Sequence, residues 1–315
     1  MPPLISTRET FGNTLLELGK ENANIVVVGG DLNKSTFANI FGAEFPKRFF
    51  DFGPAEQNMM SVAAGFASSG KIPFVNTFAV FATGRCYDQI RVGIAQPHLN
   101  VKIVATHAGI ITGEDGVSAQ GIEDITLMSA LPGFNVVVPS DSIETAKAVR
   151  TAAVTDGPFY IRLSRSATEV IHKDDYKFSL GHAEILREGK DLTIIACGIM
   201  VATALNAAET VSREGITCRV INMHTIQPLD VKSITKAAKE TGAIVTVEEH
   251  LLSGSLSSLV SQCVSTNYPI PIEMVGLHDY AESGTAQELL KKYGLTSDDI
   301  VKSVRKVLKK KESFN

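Results

Sequence analysis

The chain has 315 residues, of which 44% are hydrophobic and 20% charged, with a formal net charge of −4; that length suits two domains with a core each. Both signs are mixed along the chain without the basic surplus of a nucleic-acid binder. No apolar run approaches the ~20 residues that cross a bilayer, and Met1-Pro2-Pro3-Leu4-Ile5 lacks the basic stretch and apolar core of a secretory leader.

In chain order, Ile25-Val26-Val27-Val28 reads as a buried strand. A Gly53-Pro54 turn then opens a helix that carries Glu56, continues through Ala63, Ala64 and Phe66, and ends at Gly70, before a strand from Ile72 to Val75. The glycines of Gly65-Phe66-Ala67-Ser68-Ser69-Gly70-Lys71 are spaced as in a phosphate-binding P-loop. That reading fails, because Ile72 stands where a hydroxyl must meet magnesium and the helix precedes the strand. Further strands are expected at Val101–Ala105, Val136–Val138, Leu192–Ala196, Arg219–Asn222 and Ile244–Val247. Ser140 or Asp141 caps a helix from Ser142 to Ala153, and Ser297 to Lys311 has the spacing of a docked amphipathic helix. Its Lys309-Lys310-Lys311 end reads as a solvated terminus. Alternation of strands and helices predicts an α/β protein of two domains, each a mostly parallel sheet with helices on both faces. The pattern lapses into polar sequence after Arg165, which places a first domain at 1–165, a linker at 166–190 and a second domain at 191–315. Cys86, Cys197, Cys218 and Cys263 lie far apart and form no CxxC pair, as expected of reduced thiols in a cytoplasmic protein.

Four segments carry chemistry-bearing residues. Glu56 falls in the first turn of its helix, where it either complements the helix dipole or serves as a partly buried acid–base group. Phe78 and Phe81 lie three apart, on one helical face, as core packing or as a platform for a flat heterocycle. The loop Thr106 to Gly116 holds His107, Glu114 and Asp115 beyond the carboxyl end of a strand, where open α/β sheets place ligands. Arg162 and Arg165 end another strand, either in salt bridges or as phosphate donors.

Taken in order, Gly-Pro-Ala-Glu56-Gln-Asn-Met, Thr77-Phe-Ala-Val-Phe81 with Arg85, Thr106-His-Ala-Gly-Ile-Ile-Thr-Gly-Glu-Asp-Gly116 and Leu163-Ser-Arg165 resemble the pyrimidine-binding domain of transketolases. Gly29-Gly30-Asp31-Leu32 with Ser35 fit the same family's first loop, while Val247-Glu-Glu-His250 and Tyr280-Ala-Glu-Ser-Gly284 resemble its C-terminal domain. The resemblance covers essentially the whole chain. It implies a thiamine diphosphate enzyme that transfers a two-carbon ketol unit from a ketose phosphate to an aldose phosphate. Glu56 would hydrogen-bond the ring nitrogen of the cofactor's aminopyrimidine and favour its imino tautomer, with His107 beside it in catalysis. Phe78 and Phe81 would line the pyrimidine pocket, and Asp31 would sit near the cofactor and the subunit contact. His107 and Asp115 would meet the sugar hydroxyls, and Arg8, Ser35 and Arg165 the sugar phosphate.

Three departures from the family pattern matter. Ala119 replaces a His common four residues beyond the loop aspartate, and Gly84 replaces an aromatic three residues beyond Phe81. The GDG…N motif that holds the cofactor's metal and diphosphate is missing from the sequence, so no metal ligand is expected in this chain. Mg²⁺ and the diphosphate would be held mainly by an N-terminal transketolase subunit, in a heterotetramer of two such pairs. The resemblance also leaves open the beta subunit of a 2-oxoacid dehydrogenase decarboxylating component, a fragment like 1-deoxyxylulose-5-phosphate synthase, and a non-catalytic subunit that keeps the fold.

Overall fold

A computed structural model of the chain describes residues 3–314. The first part contains β1 (Leu4–Ile5), α1 (Thr7–Glu21), β2 (Ile25–Gly29), α2 (Asn39–Glu44), β3 (Phe49–Asp51), α3 (Glu56–Ser68), β4 (Ile72–Phe78), α4 (Ala79–Thr83), α5 (Tyr87–Ile90), β5 (Lys102–Thr106), α6 (Asp124–Ser129), β6 (Asn135–Val137), α7 (Ser142–Val154) and β7 (Phe159–Arg162). There follow β8 (Thr168–Glu169), β9 (Glu184–Arg187), β10 (Leu192–Ala196), α8 (Met200–Ser212), β11 (Cys218–Asn222), β12 (Thr225–Gln227), α9 (Val231–Thr241), β13 (Ile244–Leu251), α10 (Leu256–Asn267), β14 (Ile272–Leu277), α11 (Ala286–Lys292) and α12 (Ser297–Phe314). No helix among the described residues is long and apolar enough to cross a membrane.

Two sheets organise the chain. The larger runs β12-β6-β7-β5-β4-β2-β3 and is parallel except where β12 meets β6. The smaller runs β14-β13-β10-β11-β9 and is parallel except at β9. Strands such as β2 and β10 are buried along their whole length, which is why they read as unbroken apolar runs rather than alternating ones. Some helices start at a side-chain cap: Ser6 accepts from the Glu9 amide at α1, and Asp141 from the Glu144 amide at α7. Gly70, at φ +80°, follows the end of α3 and turns the chain into β4.

Two expectations need correction. The stretch 166–190 is not plain linker, because β8 pairs with β1 and β9 forms the edge of the smaller sheet. Neither strand has an apolar pattern to announce it, since β9 lies at an edge and is only partly buried. Phe78 does not share a helical face with Phe81. It ends β4, which runs three residues past Val75, and Phe81 follows on α4.

The junction of the two sheets is a buried polar cluster. His172 bonds Asp141 through Nδ1 at 2.9 Å and Glu184 through Nε2 at 2.8 Å. Burial by itself would lower the imidazole pKa, but the bonds to these two carboxylates outweigh it and raise it to about 10. Glu144 lies beside the ring and accepts from Ser140, Tyr176 and Asn222. Glu144, His172 and Glu184 are grouped closely enough to hold a metal ion. Both ring nitrogens are already engaged by carboxylates, however, so the imidazolium itself supplies the positive charge. All four cysteines are free and buried, and burial pushes the Cys86 thiol up to about 12, with Glu56 adding to the shift.

Candidate active site

The carboxyl ends of the parallel strands β2, β4, β5 and β7 lie side by side in the larger sheet, so the residues just beyond them gather at one rim. Those residues are Gly30 and Asp31 after β2, Phe78 at the end of β4, His107 after β5, and Arg165 beyond β7. Two of the four non-glycine residues with positive φ among the described residues are here, Asp31 at 56° and His107 at 56°. Backbone held in this region has a cost that functional sites recurrently carry.

Glu56 opens α3 and is 2% exposed. Gly30 packs beside it, close enough that an added Cβ would lie 3.6 Å from Glu56 Cγ. Asp51 secures this corner by accepting from the amides of Asp31 and Gly53 and from the Asn33 side chain. One Glu56 oxygen, Oε2, meets the Arg85 guanidinium at 3.3 Å. Arg85 also lies over the Phe81 ring, 4.3 Å from its centroid. Phe81 is parallel to Phe78 within 11° at 5.8 Å, and Phe78 stacks on His107 at 3.6 Å. His107, Phe78, Phe81 and Arg85 therefore form one stack that leads back to the buried carboxylate. Gly84 has no side chain to enter this stack, and the next residue, Arg85, lies over Phe81.

At the other end of the stack stand the cations. Arg8, on α1, donates to the carbonyls of Arg165 and Ser35 at 3.0 and 2.5 Å. Arg165 donates to the Thr112 carbonyl at 2.8 Å, and its guanidinium lies 3.9 Å from Asp115. Burial, and then the charge of Arg165, lower the pKa of Arg8. Burial, with Arg8 and Arg165 behind it, brings His107 down to about 3, so the imidazole is neutral at physiological pH. Its Nδ1 pairs with the Thr106 hydroxyl at 2.9 Å. Arg162, at the end of β7, and Arg165, three residues beyond it, divide their roles. Arg162 is buried and bonded to Asp124 at 2.9 Å, whereas Arg165 is half-exposed and turned to the rim.

The structure thus brings Arg8, Ser35, His107, Asp115 and Arg165 to one place and joins Glu56, Phe78 and Phe81 to it through the stack. Asp31 sits on the adjoining loop and is exposed. A buried carboxylate beside parallel aromatic rings suits an aminopyrimidine, with the carboxylate at a ring nitrogen and the rings against apolar faces. Asp51 and Thr112, which shape the loops around these residues, escaped the sequence reading. Asp51 lies outside the quoted motifs, and Thr112 lies within one but holds Arg165 through its backbone carbonyl, which its residue type does not announce.

Residues 4–170 match the family described as transketolase, pyrimidine binding domain, and residues 181–300 match transketolase, C-terminal domain. The chain belongs to the transketolase family. A putative transketolase C-terminal section from Methanocaldococcus jannaschii is 44% identical, with 96% of each chain covered. A protein named 6-deoxy-6-sulfo-D-fructose transketolase subunit, from a Clostridium species, is 39% identical across 96% of this chain and 95% of its own. Among solved structures, one titled a split gene transketolase, inactive beta4 tetramer, superposes with a TM-score of 0.90 at 48% identity, covering 98% of this chain and all of that one. Over its length this chain therefore corresponds to the C-terminal section of a transketolase.

Proposed function

We propose that this chain is the C-terminal subunit of a split transketolase, one that works together with an N-terminal subunit, thiamine diphosphate and Mg²⁺. The observation that carries the reading is the pairing of a buried Glu56 beside an aromatic stack with a two-arginine rim at the far end of that stack. One end suits an aminopyrimidine and the other a phosphate. Relatives of the same length that are named as transketolase subunits or sections support the division between two chains. The partner would supply the diphosphate-binding domain and most of the metal site, in a heterotetramer. The extents 1–165 and 191–315 are the proposed pyrimidine-binding and C-terminal domains, and the cytoplasm the proposed compartment.

Thiamine diphosphate, when bound, supplies the nucleophile and electron sink that ketol transfer requires. Glu56 holds a proton at the pyrimidine ring nitrogen, a task for which its burial and single strong partner suit it. Phe78 and Phe81 exclude water from that ring. Neutral His107 donates or accepts a hydrogen bond at a sugar hydroxyl without bringing a charge near the reacting carbons, and Asp115 meets a second hydroxyl. Arg8 and Arg165, with Ser35, bind the sugar phosphate, whose negative charge relieves the repulsion between the two guanidiniums.

The test is an assay with xylulose 5-phosphate and ribose 5-phosphate, thiamine diphosphate and Mg²⁺, run on this chain alone and mixed with an N-terminal transketolase subunit. Transfer in the mixture and none by the chain alone is the expected result. An assembled, cofactor-loaded complex that fails on the sugars and turns over a 2-oxoacid would overturn the reading.

A further inference from the structure

The loop that carries His107 and Asp115 does not stand by itself. Its segment Ile110–Asp115 is a short 3-10 turn kinked at Gly113, and it is held from the second domain. Glu249, near the end of β13, sends its carboxylate under this turn. Oε1 accepts the Ile111 amide at 2.7 Å, and the Ile110 amide lies close enough to act on the same carboxylate. Gly109, at φ +78°, permits the approach, since a Cβ there would stand 2.2 Å from the Glu249 carboxyl carbon. Glu249 is 3% exposed, and its Oε2 has no partner among the described residues. Burying a carboxylate is costly and is sustained where its bonds fix something of use.

From Glu249 the contacts run to the rim in two further steps. Ile111 is followed by Thr112, whose hydroxyl donates to the His107 carbonyl at 2.6 Å. The Thr112 carbonyl accepts from Arg165 at 2.8 Å. One residue thus ties His107 to Arg165, and Glu249 seats the turn on which that residue stands. We infer that Glu249 is a positioning residue of the second domain, which sets the phosphate-binding end of the site by holding the 109–112 turn.

The groups facing this carboxylate are Arg162 on β7, Asp124 on α6 and Cys197 after β10. Burial raises the Glu249 pKa to about 7, with Arg162 and the Ile111 amide holding it back. Neutral or charged, the carboxyl keeps an oxygen that accepts from Ile111, so the seat depends on the acceptor rather than on the charge. The backbone around Glu249 reinforces the contact. Its carbonyl accepts from Arg162 at 3.0 Å, and the Leu251 amide donates to the Ile122 carbonyl at 3.1 Å.

This inference rests on the proposed transketolase reading for its kinetic effect but not for its structural one, and the test has an arm for each. Glu249→Met keeps the length of the side chain and removes the acceptor, whereas Glu249→Gln keeps the acceptor. In the chain alone, amide hydrogen exchange over residues 109–112 should accelerate about tenfold or more in the Met variant and stay near wild type in the Gln variant. In the assembled complex, the Met variant should raise KM for a phosphorylated acceptor about tenfold, and that for an unphosphorylated acceptor less than about twofold. Gln should restore the wild-type value. Gly109→Ala, whose Cβ would push the Glu249 carboxylate off the turn while leaving every phosphate-binding side chain in place, should show the same acceptor-selective rise if Glu249→Met does not fold. Unchanged exchange in the Met variant, or equal KM changes for both acceptors in either variant, would overturn the inference. A wild-type complex without ketol transfer would instead sink the function reading, and the exchange arm would still decide the role of Glu249.

Discussion

Two charge clusters of the chain differ instructively, one at the junction of its sheets and one at the rim of the larger. At the junction, both oxygens of Asp141 and both of Glu144 accept hydrogen bonds, and a protonated His172 lies among the carboxylates. At the rim, burial and the nearby Arg165 lower the pKa of Arg8, a neutral His107 is held at positive φ, and Glu56 has one guanidinium on one oxygen. The first cluster answers its charges from within the chain, which makes it architecture. The second sets two guanidiniums side by side with only the half-exposed Asp115 near Arg165, an arrangement that a bound anion would complete. Titratable residues alone do not separate the two; the degree of internal satisfaction does.

Substitutions should keep the clusters apart. Glu56→Gln should lower kcat of the assembled complex about a thousandfold, the range for a lost acid–base group, while the unfolding midpoint stays near wild type. His172→Ala should do the reverse. Removing the cation from among buried carboxylates should cost about 3–5 kcal/mol, read by urea unfolding, with turnover per assembled complex unchanged. If both variants lost stability alike, the distinction would fall. Arg165→Ala should raise KM for phosphorylated acceptors about 10- to 100-fold, the equivalent of one charge-assisted hydrogen bond, and leave unphosphorylated acceptors nearly untouched.

The pH dependence of stability offers a further check. His172 has a folded pKa raised from 6.5 to about 10. Its contribution is therefore complete below pH 6.5 and is lost as pH rises through 10, because the folded state binds the extra proton. Urea midpoints should fall from pH 7 to pH 10 in the wild-type chain. They should fall less in His172→Gln, and equal slopes would place the titrating group elsewhere.

The buried strands, the capped helix α7 and the terminator Gly70 were legible because local pattern and final environment agree there. A strand covered on both faces is apolar throughout, and an Asp at the start of α7 satisfies a helix amide by a bond local to the sequence. The edge strands β8 and β9 were not legible, since an edge in contact with solvent needs no apolar alternation. At the candidate site, Glu56, His107 and Arg165 could be singled out, because unusual residue types follow strands in a recognisable order. That Arg162 turns inward to Asp124 while Arg165 faces the rim depends on where β7 ends, which two arginines three residues apart do not announce. The junction cluster draws on Asp141, His172, Glu184 and Asn222, each unremarkable in its own segment. Only the fold makes them neighbours.

One strand of the larger sheet has a consequence for biosynthesis. The edge formed by β6 is covered by β12, from well beyond the other six strands in the chain. While the polypeptide is emerging, all the parallel strands of that sheet exist before residue 225 has been made, and β6 presents bare amides and carbonyls to whatever is nearby. A chain interrupted before that point would keep its open edge, and with it a template for pairing with other nascent copies.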